Sequence, residues 1–228
     1  MNPKLLLFDI DGTLISARGI PKKAMAAVLT RRYPDFKYDI SYDFSGRTDP
    51  QIIEHLLQFD NRDFSEILIR EILHDFCVEM EKEFFDQIKP EIHPGVEMLI
   101  QRMRVTENVF LGLVTGNVFE GARIKLESAN LYQYFPVGSY GDDSKDRNDL
   151  PPIAQKRAEN HYRQFFSSEN IWIIGDSIHD ISCAKHNGLR CLAVSTGKTR
   201  KEDLIAANPE FLENDLSNLE RIQYILNT

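Results

Sequence analysis

The stretch Leu5-Leu6-Leu7-Phe8-Asp9-Ile10-Asp11-Gly12-Thr13 decides the fold. Four consecutive apolar residues run straight into two carboxylates one residue apart. A continuous apolar run, as opposed to an alternating one, marks a strand covered on both faces. Three more such runs follow at Val109–Val114, Ile171–Ile174 and Cys191–Val194. Helical patterns lie between and around them, at Gly95–Met103, Phe119–Ala129, Leu150–Tyr162 and Ile178–Asn187, and Gly188 stops the last. Strand and helix in alternation predict an α/β fold: a Rossmann-like parallel sheet with helices on both faces.

The alternation is interrupted after the first strand. From Ile15 to Pro94 no comparable strand appears, and Phe64, Leu68, Ile72, Phe76, Met80 and Phe84 recur at helical spacing. That stripe is read as ordinary core packing in an inserted α-helical cap domain. Pro90 and Pro94-Gly95 mark the return to the sheet. The expected organisation is a catalytic core of residues 1–14 and 95–228 with a cap of residues 15–94. Ligands of open parallel sheets bind beyond the carboxyl ends of the strands. A cap inserted there is placed to act as a lid.

Composition narrows the partners. The 228 residues carry 35 acids against 27 bases, a formal charge of −8, with Lys and Arg scattered. Nucleic acid is therefore not expected as a partner, since backbone binding needs clustered positive charge. No apolar run approaches a membrane span, and Lys4 precedes only four apolar residues, so neither a membrane segment nor a signal peptide is expected. Cys77, Cys183 and Cys191 are odd in number and far apart, which suits small buried residues in a reducing cytoplasm.

The strand ends carry the chemistry. The first ends in Asp9-Ile10-Asp11-Gly12-Thr13, the second in Thr115-Gly116-Asn117, the third in Gly175-Asp176-Ser177 with Asp180 beyond. A lone Asp in such a place reads as a turn or helix cap. Parallel, adjacent strands would instead gather four carboxylates, hydroxyls, an amide and free backbone N–H groups at one edge. Clustered carboxylates call for a cation, and hard oxygen ligands suit Mg²⁺. Free N–H groups at turns suit an oxyanion such as phosphate. Together these point to phosphoryl transfer, with Asp9 as nucleophile and Asp11 moving protons. Gly12 lets the chain turn sharply, and Thr13 can orient Asp11 or cap the turn.

The ordered set resembles the haloacid dehalogenase-like hydrolase superfamily over nearly the whole chain. The motifs are Asp9-Ile10-Asp11-Gly12-Thr13-Leu14, then Leu113-Val114-Thr115-Gly116-Asn117, then Gly175-Asp176-Ser177-Ile178-His179-Asp180. The resemblance implies that Asp9 is nucleophile and metal ligand, and that Asp11 is general acid/base and offers its backbone carbonyl to Mg²⁺. It implies phosphate held by Thr115 and the backbone that follows, through Gly116 and Asn117, with Gly12 and Thr13 beside it. Asp176 would ligate the metal, and Asp180 would ligate or orient it. Dehalogenases of the superfamily lack an acid at position 11, so Asp11 implies phosphate chemistry. The remaining motif requires a cation. Lys145 and Arg147 are the candidates in Ser144-Lys145-Asp146-Arg147-Asn148-Asp149-Leu150, and the Asp-Arg-x-x-Leu order, similar to some relatives, favours Arg147.

Within the cap, Phe44-Ser45-Gly46-Arg47-Thr48-Asp49 breaks the helical pattern. Thr48 or Asp49 can cap the following helix. Arg47 and Thr48 are the candidate substrate contacts, Arg47 meeting a carboxylate or second phosphate. His179 is read as lining the pocket rim and His93 as a turn residue. The resulting expectation is a cytoplasmic, monomeric, Mg²⁺-dependent phosphatase for a small phosphorylated metabolite, similar to the phosphoglycolate phosphatase branch. A phosphomutase of the β-phosphoglucomutase type and a non-catalytic protein on the same fold are the alternatives.

Overall fold

A computed structural model describes residues 2–86 and 89–228. Residue 1 of the expected core and residues 87 and 88 of the expected cap lie outside the described residues. In chain order the strands are β1 Lys4–Phe8, β2 Ile15–Ser16, β3 Glu91–Ile92, β4 Val109–Val114, β5 Gly138–Ser139, β6 Ile171–Gly175, β7 Arg190–Val194 and β8 Phe211–Glu213. The helices are α1 Ile20–Arg32, α2 Asp49–Phe59, α3 Glu66–Asp86, α4 Val96–Arg104, α5 Phe119–Ser128, α6 Leu150–Tyr162, α7 Ile178–His186, α8 Lys201–Ala206 and α9 Leu219–Leu226. No helix among the described residues is long and apolar enough to cross a membrane.

Six strands form one sheet in the order β5-β4-β1-β6-β7-β8, and every pairing is parallel. β1 lies between β4 and β6, so the endings that carry the three motifs are side by side. The continuous apolar runs have the expected cause. Side chains alternate across a strand, and both faces are covered. Leu6 and Phe8 pack with Trp172 and Ile174 against α4, α5 and α9, whereas Leu5 and Leu7 pack with Ile171 and Ile173 against α6, α7 and α8. Full burial of side chains such as Phe8 and Leu6 stabilises the fold by roughly 1.5–3 kcal/mol each. The edge strands β5 and β8 are only two and three residues long, too short to show a pattern in sequence.

The chain leaves the sheet through β2 and returns through β3, which pair antiparallel as Ile15↔Ile92 and Ser16↔Glu91. Between them, α1, α2 and α3 enclose a third apolar cluster. The α3 stripe behaves as its spacing predicts: Ile72, Phe76, Met80 and Phe84 are buried, against α1 and against α5 of the sheet domain. Val118 and Ile124 belong to this same cluster, so α5 is the floor on which the helical unit rests.

A polar seam joins the two units. Thr48 caps α2, accepting from the Gln51 amide and donating its hydroxyl to the Lys145 carbonyl at 3.0 Å. Asp49 reaches across: its amide donates to the Gly116 carbonyl at 2.7 Å, and its Oδ2 accepts from the Val118 amide at 2.9 Å. Gly116 is required by this contact, since a Cβ there would lie 2.0 Å from the Arg47 carbonyl oxygen.

Burial pushes the Asp49 carboxyl up to about 6, although Lys125 pulls the other way. An unfolded Asp titrates near 3.9. The folded chain therefore holds a proton that the unfolded chain releases between about pH 4 and 6. Stability from this site is present at acid pH and is lost as pH rises through that window. Asp49→Asn keeps an oxygen to accept from Val118 and removes the titration. Its urea-unfolding free energy relative to wild type should rise by about 2 kcal/mol from about pH 4.5 to 7. A difference that does not change with pH would remove Asp49 as the source.

Candidate active site

The polypeptide turns sharply after β1. Leu14 and Ile15 donate to the Ile10 carbonyl, and the Gly12 amide donates to Ile15. Gly12 has φ +88°, a left-handed conformation that glycine adopts without strain, and a Cβ there would lie 2.4 Å from Asp176 Oδ2. The turn thus brings β1's carboxylates against the end of β6. Thr13 is fully buried and donates its hydroxyl to Asp176 Oδ1 at 3.1 Å.

Asp9, Asp176 and Asp180 are all buried, and one carboxylate oxygen from each lies within 4.8 Å of the others. Asp180 also closes a capping box on α7, its Oδ2 accepting from the Ser177 amide at 3.1 Å and hydroxyl at 2.6 Å. Arg147 joins two of the three carboxylates. It stands on a 3₁₀ turn, Arg147–Asp149, and donates to Asp9 Oδ1 at 2.9 Å and to Asp180 Oδ1 at 2.5 Å. Its other terminal nitrogen donates to the Gly46 carbonyl at 3.2 Å, across the seam. Burial opposes the guanidinium's charge, but Asp180 and Asp9 outweigh it and hold its pKa above the usual arginine value.

One guanidinium cannot neutralise three buried carboxylates. Burial pushes Asp9 up to about 6, against the pull of Arg147. Asp176 is raised well above its ordinary value by burial and then by Asp180 and Asp9. Both shifts come first from burial, which disfavours the ionised forms, and then from the neighbouring carboxylates. The donor set is all carboxylate oxygen, close and convergent, and this fits a hard divalent cation such as Mg²⁺.

Asp11 lies on the other side of the turn, half-exposed on the cavity wall. Its Oδ2 accepts from Asn117 Nδ2 at 2.9 Å and from Lys125 Nζ at 2.5 Å. Asn117 Nδ2 also donates to Thr115 Oγ1 at 2.8 Å. A cavity of about 330 Å³ is bounded by these residues on the sheet side and by Tyr42 to Arg47 on the helical side. His93, read from sequence as a turn residue, also lines it.

The expected site residues divide as follows. Asp9, Asp11, Gly116, Asn117, Arg147 and Asp176 line the common cavity, with Asp180 and Thr115 buried directly behind. Arg47 lines it too, its Nε donating to the Asp43 carbonyl at 3.1 Å and its guanidinium 4.8 Å from the Tyr42 ring centre. Lys145 does not join the carboxylates. It is a half-exposed partner of Glu54 on α2, at 3.0 Å, whereas Arg147, two residues on, is buried against Asp9. Thr48 is committed to capping α2 and to Lys145, and so is absent from the cavity wall. The Thr13 hydroxyl is engaged by Asp176, and the Gly12 and Thr13 amides by the turn at 2.8 and 3.4 Å, so these two residues shape the site and offer no free donor to phosphate.

Lys125 was not foreseen. It occupies a core-facing position on α5, beside Ala122 and Leu126, and its side chain is buried. A Lys at an apolar-stripe position of the helix that follows a motif is the signal that could have found it.

Comparisons with known proteins agree with this arrangement. The profile of the family described as Haloacid dehalogenase-like hydrolase matches residues 6–194. The phosphoglycolate phosphatase of Vibrio parahaemolyticus is 27% identical, covering 95% of this chain and 94% of that one. The pyrophosphatase PpaX of Bacillus cereus strain Q1 is 24% identical, covering 96% and 95%. The crystal structure of CbbY from Rhodobacter sphaeroides in complex with phosphate superposes with a TM-score of 0.76 over 95% of this chain and 96% of that one, at 17% identity, a likeness of fold. With the family profile spanning all three motif strands and the site they build, the chain belongs to the haloacid dehalogenase-like hydrolase family.

Proposed function

We propose that this enzyme is a Mg²⁺-dependent phosphatase that hydrolyses a small phosphorylated metabolite through an aspartyl-phosphate on Asp9. The observation that carries the reading is Asp9 itself. It is buried beside Arg147, Asp176 and Asp180, with Asp11 two residues on at the wall of the same cavity. The names of the phosphoglycolate phosphatase and pyrophosphatase relatives support the substrate class.

In this reading an Asp9 oxygen attacks phosphorus and displaces the ester oxygen, which takes a proton from Asp11. Water then attacks the acyl-phosphate, giving its proton to Asp11 and restoring the Asp9 carboxylate. Arg147 holds Asp9 in place and offsets charge as the phosphate arrives. The Thr115 hydroxyl and the Gly116 amide are the proposed phosphate donors, with Asn117 beside them, its own amide donating to Thr115 Oγ1 at 3.3 Å. Asp9 and Asp176, with Asp180 and the Asp11 carbonyl, would hold Mg²⁺, which supplies positive charge to the phosphoryl oxygens. Residues 15–94 serve as the lid over a core of residues 1–14 and 95–228, with the β2–β3 ribbon as the crossing point. The lid excludes bulk water, and Arg47 selects among substrates. Cys77, Cys183 and Cys191 are buried and unbridged, which supports a reducing, cytoplasmic setting, and a monomer is the proposed state.

The direct test is phosphate release from a panel of phosphorylated metabolites with Mg²⁺ and with EDTA. Turnover should require the metal. Isomerised sugar phosphate with little free phosphate would replace this reading with a mutase, and no turnover on any ester would leave a non-catalytic protein. Asp9→Asn should lower turnover by at least about 10⁴-fold. In metal-free buffer it should melt no lower than wild type, since it removes a carboxylate whose ionisation the fold resists. Activity near wild type would exclude Asp9 as nucleophile. Arg147→Met should cost about 3–5 kcal/mol in thermal or urea unfolding, because it leaves buried carboxylates without their cation. Saturating Mg²⁺ should return part of that loss, and a variant as stable as wild type would contradict the charge balance drawn here.

A further inference from the structure

Lys125 is a buried charge to which the mechanism above assigns no part. It is 2% exposed, on the face of α5 that packs toward the sheet. Its Nζ lies 2.5 Å from Asp11 Oδ2 and 2.5 Å from Asn117 Oδ1. Asn117 donates in turn to the same Asp11 oxygen at 2.9 Å and to Thr115 Oγ1 at 2.8 Å. Ammonium, amide and carboxylate thus form a closed three-membered ring at the cavity wall. Burying an ammonium is costly even when it is paired. Leu or Met would fill the same stripe position at lower cost, so packing alone does not account for a Lys there.

The polarity of the ring indicates what it does. Both donors meet Oδ2, which fixes the Asp11 carboxylate by one oxygen. Oδ1 is left as the atom that can take a proton. A carboxylate held by two donors is oriented as an acceptor, which is the form required when water attacks the acyl-phosphate. We propose that Lys125 is a positioning residue: with Asn117 it aims the Asp11 carboxylate for the second half-reaction. In that step the water oxygen forms its bond to phosphorus, and the bond from phosphorus to Asp9 breaks, its electron pair returning to the Asp9 carboxylate. The water proton passes to Asp11 Oδ1, and phosphate is released. The inference rests on the aspartyl-phosphate reading given above.

The test uses p-nitrophenyl phosphate, whose leaving group departs with little need of a proton. The first half-reaction then proceeds without help from Asp11, and only the second depends on it. Lys125→Met should give a burst of p-nitrophenol equal to the enzyme present. A steady rate about 100-fold below wild type should follow. Acid-quenched protein should carry one phosphoryl group by intact mass. Lys125→Gln, which retains an N–H donor, should fall between the two. Lys125→Cys treated with 2-bromoethylamine rebuilds an ammonium of nearly the same reach and should recover most of the lost rate, with treated wild type as control. Slowing without a burst or a phosphorylated species would overturn the proposal, as would failure of the aminoethylated protein to recover. If Lys125→Met does not fold, the Gln and aminoethyl-Cys proteins give the same reading. Wild type that releases no phosphate at all would refute the phosphatase itself, whereas wild-type turnover with no burst in the variants would refute only the role of Lys125.

Discussion

Everything around the site answers to one constraint: three carboxylates buried within reach of one another, with a single guanidinium among them. Like charges in a low-dielectric setting repel strongly, and burial already disfavours their ionised forms. Arg147 is drawn to two of the carboxylates for this reason, and its backbone is fixed by a 3₁₀ turn just ahead of α6. Asp180 is tied to Ser177 and the start of α7, and Asp176 to Thr13, so neither can swing away from its neighbours. The repulsion is therefore retained by the fold, and a divalent cation is the species best able to relieve it.

How much of this could be read in advance depended on segment length. β1, β4, β6 and β7 each carry at least five residues covered on both faces, and their apolar runs are plain. β5 and β8 are too short to leave a pattern, and the β2–β3 ribbon is two residues a side. The acids at strand ends were legible because the alternation of elements dictates where parallel strands deliver their last residues. The arginine was legible as the favoured of two candidates, and only through a resemblance. Lys145 and Arg147 lie two residues apart on a loop, and no periodicity says which turns inward. Lys125 escaped because helix patterns are read by their apolar positions, and a charge on that stripe breaks the pattern that would reveal it. The donors around Gly12 and Thr13 were legible as residues but not as already engaged, since turn hydrogen bonds leave no mark in the sequence.

The loop of residues 144–147 has two partners at once. Its Arg147 faces the acids, while the Lys145 carbonyl and ammonium grip Thr48 and Glu54 of α2. Arg147 also reaches the Gly46 carbonyl of the helical unit. The guanidinium that offsets part of the site's charge is thus bonded to both halves of the molecule, and the position of the helices and the electrostatics of Asp9 are not independent.

One close approach of those halves is made by main chain. The Asp49 amide meets the Gly116 carbonyl, and the Arg47 carbonyl lies where a side chain at 116 would stand. Hydrogen bonds of this kind are blind to side-chain identity. Residues of the 42–47 loop other than Gly46, where a Cβ would lie 2.4 Å from Ser177 Oγ, can therefore be exchanged over generations without altering this main-chain contact. A docking point made of peptide groups separates the evolution of preference from the evolution of closure, which gives descendants of one scaffold freedom to take up different phosphorylated compounds.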